Sequence, residues 1–106
     1  MLGSRSLHVQ SIRLDYVVAS GKYRGRVTVK MVNDLGKPVS GATLYGIFTG
    51  QYQEYRLVAA DSTGTSVIIT SSSRTSAPTA FGFRISNITG PLPYAPADNV
   101  QDAAKF

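Results

Sequence analysis

Residues able to do chemistry are few in this 106-residue chain, and their spacing argues against catalysis. His8 is the single histidine, and cysteine is absent. A Ser/His/Asp relay holds its imidazole between two partners, whereas His8 stands near one terminus at the start of an alternating segment. Zinc needs clustered ligands, and one histidine with scattered carboxylates supplies none. Glu54 is the only glutamate, so the paired carboxylates of glycoside cleavage are missing. Asp61-Ser62-Thr63 and Asn33-Asp34 could lend oxygens to calcium, which takes roughly six to eight, mostly with several carboxylates. Each segment has one carboxylate, and both read as turns in which Asp and Asn bond their own backbone. Asn87-Ile88-Thr89 has the form of a glycosylation acceptor and reads as a polar strand end. Neither an enzyme nor a cofactor is expected.

What remains are side chains suited to contact: Tyr45, Tyr52, Arg24 and Arg26. Tyr45 is expected to face outward from a strand, and Tyr52 follows the break at Gly50-Gln51. Exposed rings there could stack on sugar faces or anchor a partner protein. The plainer reading is that Tyr45 pads a sheet and Tyr52 covers its end. Lys22, Arg24, Arg26 and Lys30 share one parity and so line one face of a strand. That face is a solvated exterior, or more sharply a contact for a polyanion or acidic glycan. Eleven Lys and Arg against six Asp and Glu give +5, without any run of like charge. No aromatic–basic platform accompanies them, so nucleic acid is not an expected partner.

These residues must be positioned by strands. Leu7 to Val18 alternates imperfectly, with Ile12, Leu14, Tyr16 and Val18 on one side. Ala19-Ser20-Gly21-Lys22 turns the chain. Tyr23 to Asn33 then places Val27, Val29 and Met31 inward and Arg26, Thr28 and Lys30 outward. Gly36-Lys37-Pro38-Val39-Ser40-Gly41 is a glycine-punctuated turn in which Pro38 pre-sets φ. Ala42 to Thr49 alternates Leu44, Gly46 and Phe48 against Thr43, Tyr45 and Ile47. Gly46 within it predicts a close neighbour or a bulge. Tyr52 to Ala60 follows, then the turn Asp61-Ser62-Thr63-Gly64. Thr65 to Ser71 is expected to carry Val67 and Ile69 inward, with Ser66, Ile68 and Thr70 opposed. Phe81, Phe83 and Ile85 alternate with polar or small residues over 79–87. The prolines of Gly90 to Pro96 allow only a short edge strand or an extended cover, a doubtful seventh strand. Val100 to Phe106 is the one helix candidate, or a frayed tail.

Strands separated by turns about every 8–12 residues form a sandwich. Its inner face is expected to hold Leu14, Val27, Val29, Met31, Leu44, Phe48, Val67, Ile69, Phe81, Phe83 and Ile85. The length suits one domain. Residues 1–5 read as a cloning remnant or linker (Met1-Leu2-Gly3-Ser4 above all), residues 6–99 as the folded module, and 100–106 as a tail. No apolar run is long enough for a membrane-spanning helix.

The strand Val27-Thr28-Val29-Lys30-Met31, the stretch Gly36-Lys37-Pro38-Val39-Ser40-Gly41-Ala42-Thr43-Leu44 and the turn Asp61-Ser62-Thr63-Gly64 resemble a bacterial immunoglobulin-like domain. His8-Val9 at the start, Phe83-Arg84-Ile85-Ser86-Asn87-Ile88-Thr89 and Tyr94-Ala95-Pro96-Ala97-Asp98-Asn99 look like a subgroup appended to secreted hydrolases and proteases. The resemblance covers residues 8 to 99. It implies an all-β, immunoglobulin-like antiparallel β-sandwich of about seven strands with Greek-key connections. It also implies a non-catalytic accessory role outside the cell or on its surface, spacing, stabilising or docking a neighbouring domain. The alternative is a carbohydrate-binding module using outward tyrosines, assisted by Arg24 and Arg26.

Overall fold

A computed structural model describes residues 5–106, so the expected remnant Met1-Leu2-Gly3-Ser4 lies outside the described residues. Seven strands run in the order β1 Leu7–Ala19, β2 Lys22–Asn33, β3 Thr43–Gly50, β4 Glu54–Ala59, β5 Thr65–Ile69, β6 Phe81–Thr89 and β7 Ala103–Lys105. They form two antiparallel sheets, β1-β2-β5 and β4-β3-β6-β7. The chain crosses from the first sheet to the second after β2, returns for β5, and crosses again for β6. This is an antiparallel β-sandwich with Greek-key connections.

Alternation explains most of the packing. Val27, Val29 and Met31 are fully buried from β2, facing Leu44 and Phe48 of β3 and Phe81 and Phe83 of β6 within one core. The β1–β2 hairpin closes through Ser20 and Gly21, both at positive φ (53° and 72°). Paired positive φ values match the right-handed twist of the flanking strands. The imperfect alternation of β1 has a physical cause: its register slips at Gln10, between Val9 and Ser11. The bulge flips parity, so Leu7 and Val9 point inward before it and Ile12 after it. Gly46 has both neighbours its position predicts. A side chain there would collide with the Phe83 ring, and the β3–β6 register shifts beside it.

Several expectations are corrected. In β5, Ser66 and Ile68 are buried, as is Thr70 just after it, while Val67 and Ile69 are 47% and 41% exposed. Pairing Val27 with Ile68 and Val29 with Ser66 sets that parity. Thr70 fixes it further: its hydroxyl accepts from the Gly25 amide (3.1 Å) and donates to the Ser72 carbonyl (2.8 Å). The seventh strand is not in the proline-rich segment, and 100–106 is neither helix nor tail. Ala103–Lys105 pairs with Gly82–Arg84, and the Phe106 amide donates to the Phe81 carbonyl at 2.7 Å. Leu14 and Ile85, expected inside, pack at the margin of the core.

The proline-rich segment is an extended cover. Leu7 donates to the Pro93 carbonyl and accepts from the Ala95 amide, both at 2.9 Å. Farther along, the Asn99 side chain accepts from the Val9 amide (2.7 Å) and Gln101 from the Ile12 amide (3.0 Å). The outer edge of β1 is thereby occupied over half its length.

Candidate functional site

The four residues singled out for contact do not meet. Tyr45 lies on the outer face of the β4-β3-β6-β7 sheet, and Arg24 and Arg26 on the outer face of the other sheet. Tyr52 is on neither. Only 1% of it is exposed, which corrects the reading as an accessible contact ring and agrees with the plainer one, a cover for the sandwich end. Its hydroxyl donates to the Tyr23 carbonyl at 2.7 Å, and its ring meets Phe81 edge-on at 5.2 Å. Burial pushes the phenol pKa up, while the Arg74 charge pulls against that shift. Gly25 makes the seat: a Cβ there would lie 3.0 Å from both Tyr52 and Phe81. A glycine inside a strand was the signal available in the sequence.

Tyr55, which sequence reasoning did not select, is the exposed aromatic instead. Tyr55 and Leu57 of β4 are each 59% exposed. Register places them beside Ile47 and Tyr45, so four apolar side chains share one outer face. An open hollow of about 370 Å³ lies at its end, lined by Ile47, Thr49, Gln53, Glu54 and Tyr55. A second hollow of about 250 Å³ shares Thr49 and reaches Gly82, Lys105 and Phe106. Alternation of Tyr55 and Leu57 with polar residues did not reveal which side of β4 faces solvent. That choice follows from Glu54 and Arg56.

Glu54 is a structural clasp. Its carboxylate accepts from the Ser71 and Ser72 amides (both 2.9 Å), from the Ser72 hydroxyl (2.6 Å) and from Arg56 (3.1 Å). Burial alone would raise its pKa, but these four donors outweigh it and hold the carboxyl down to about 2. Arg56 also donates to the Ile69 carbonyl (2.8 Å) and the Ser71 hydroxyl (3.2 Å). Together they fasten β4 to the end of β5 across the gap between the sheets.

The opposite face is basic. Arg26 pairs with Asp15 through two bonds, 2.8 and 2.5 Å. The bond to Arg26 outweighs burial and lowers the Asp15 pKa, with Arg13 adding to the effect. Arg24 donates to the Thr70 carbonyl at 3.3 Å.

Nothing assembles a reaction centre from the residues weighed for one. The His8 Nδ1 has no hydrogen-bond partner among the described residues. Oδ1 of Asp61 accepts from the Thr63 amide, the Thr63 hydroxyl and the Thr65 amide, which is turn chemistry. The Thr63 hydroxyl heads the causes that lower the Asp61 pKa. Asn33 likewise caps the amides of Leu35 and Lys37, both at 2.9 Å. Among the described residues no three His, Asp or Glu side chains come together as a metal site, and no helix is long and apolar enough to cross a membrane. No family model matches the chain, and neither a curated protein nor a solved structure matches it.

Proposed function

We propose that this chain is a non-catalytic accessory module of a larger secreted or surface protein, holding its neighbours at a fixed separation. One observation carries the reading: the described chain starts and finishes well apart on an elongated body, 54 × 23 × 18 Å. Leu7 pairs with Asn33 at the start of β1, while Phe106 packs against Tyr16 at 5.7 Å toward its far end. Leu7 and Tyr16 are nine residues apart on one strand, roughly 30 Å at strand rise. Segments joined beyond these two points would be held apart by about that span. The resemblance to bacterial immunoglobulin-like domains agrees with this role. A fusion carrying one reporter domain at each end tests it by small-angle scattering. A single narrow inter-domain distance is expected, and a broad distribution rejects the spacer.

A second reading, carbohydrate binding, has its own observation: the hollow beside exposed Tyr55, whose lining includes Thr49 and Gln53. Aromatic faces with nearby hydrogen-bonding groups suit sugars. Tyr45→Ala with Tyr55→Ala should abolish retention on polysaccharide affinity gels. Unchanged retention removes this face from the account.

A further inference from the structure

The outer face of β1-β2-β5 carries five cations and one carboxylate. Cross-strand register sets Lys22, Arg24, Arg26 and Lys30 in one row along β2, with Arg13 beside them on β1. Asp15 is the single carboxylate among them, and it is already engaged by Arg26. Asp61 stands at the rim, in the turn before Thr65, but spends its oxygen on that turn. On the β5 side the next charges are Arg74, whose backbone bridges to Tyr23 of β2, and Glu54 and Arg56, paired with each other. Exposed Val67 and Ile69 lie beside Thr28 and Arg26 and give the row an apolar flank.

The geometry suits a linear ligand. Successive outward side chains on a strand are about 6.7 Å apart, so Lys22 and Lys30 stand roughly 27 Å apart along one line. Two guanidiniums are held before any ligand arrives: Arg26 by Asp15 and Arg24 by the Thr70 carbonyl. Donors fixed in advance lose less freedom on binding, and guanidinium forks match carboxylate and sulfate oxygens. Among the described residues no aromatic ring shares this face, since Tyr16 and Tyr23 belong to the other parity. It therefore lacks the stacking platform of single-strand nucleic-acid binders. Beyond β5 the β1–β2 hairpin continues as a two-stranded ribbon that carries Lys22 and Arg24, so duplex DNA is a ligand class the test must separate.

We propose that the outer face of β1-β2-β5 binds a linear acidic polysaccharide, whose carboxylates or sulfates lie along Lys22, Arg24, Arg26 and Lys30. The spacer reading neither requires this nor depends on it. The hollow beside Tyr55 is on the opposite sheet, so the two surfaces can be tested apart.

The test is retention on immobilised polygalacturonate (carboxylate) and heparin (sulfate), with neutral dextran as the control, at about 0.15 M ionic strength. Retention on at least one acidic polymer, absent on dextran, is expected. No retention on either overturns the proposal. Two double variants then carry the same net charge: Arg24→Gln with Lys30→Gln on this face, and Arg84→Gln with Lys105→Gln on the other. The first should weaken binding about tenfold or more, and the second by less than about twofold. Equal losses would show that only net charge matters and would reject the site. Tighter binding to a single-stranded or duplex DNA oligomer than to both polysaccharides would reject the ligand class. Amide chemical-shift mapping of the unaltered protein with a short oligogalacturonate needs no variant. Shifts should concentrate in residues 22–30 and 65–69, and shifts centred on β3 and β4 overturn the assignment.

Discussion

Tyr52 shows how a neighbourhood in sequence leaves two placements open, a contact ring or a cover for the sandwich end. It follows a glycine break, where exposed rings are common, yet it fills the end of the sandwich over Gly25. Its hydroxyl bond to the Tyr23 carbonyl predicts that Tyr52→Phe lowers unfolding stability by about 1 kcal/mol in urea titration. A neutral result would mean that water replaces the phenol at that carbonyl. Glu54 gives a pH prediction of definite sign. Its folded pKa of about 2 lies below its ordinary 4.5. The deprotonated form is therefore favoured by folding, and the resulting stability is complete above about pH 4.5. It is lost as pH falls toward about 2, by no more than about 3 kcal/mol. Asp15, Asp34 and Asp61 are shifted in the same direction. The Glu54→Gln variant isolates the one group: its stability deficit at neutral pH should close below about pH 2. A deficit constant across that range contradicts the clasp.

At the scale of elements, alternation was legible wherever one parity was plainly more apolar. Val27, Val29 and Met31 of β2 and Phe81 and Phe83 of β6 announce their face directly, and all are buried. In β5 the rule fails because hydrophobicity is nearly balanced. Val67 and Ile69 oppose Ile68 alone, and the outcome is decided by pairing to β2 and by the Thr70 hydroxyl, neither visible in a local window. The strand predicts its own test. Ile68→Ala should cost about 2–5 kcal/mol, whereas Val67→Thr should stay within about 0.5 kcal/mol, both read by thermal melts. Reversed magnitudes would restore the opposite parity. β7 escaped for another reason: three residues are too few to show a period, and only β6 gives them a partner. The exposed face around Tyr55 was hidden because β4 alternates without saying which side is core; the Glu54 and Arg56 bonds to the β5 end settle it.

Across the whole molecule, the two open flanks of the sandwich are laced differently. One is fastened by Glu54 and Arg56, the other by the segment from Pro93 to Gln101 running beside β1. Its proline-rich part, to Pro96, was legible as a short edge strand or an extended cover, because prolines cannot supply ladder donors. Its targets were not legible, since Asn99 and Gln101 reach amides about ninety positions away. Replacing both with alanine leaves the Val9 and Ile12 amides unsatisfied. It should cost about 1–3 kcal/mol for each buried group, measured by urea denaturation. A loss below about 0.5 kcal/mol would show that solvent serves those amides equally well.

Those two amide side chains have a consequence for life at high local concentration. Bare strand margins invite a stranger's backbone to zip on, and the hazard grows when like modules are tethered together at millimolar effective concentration. With Asn99 and Gln101 already seated on β1, an incoming strand must first evict them. The resident side chains work as a built-in competitor against fibril growth.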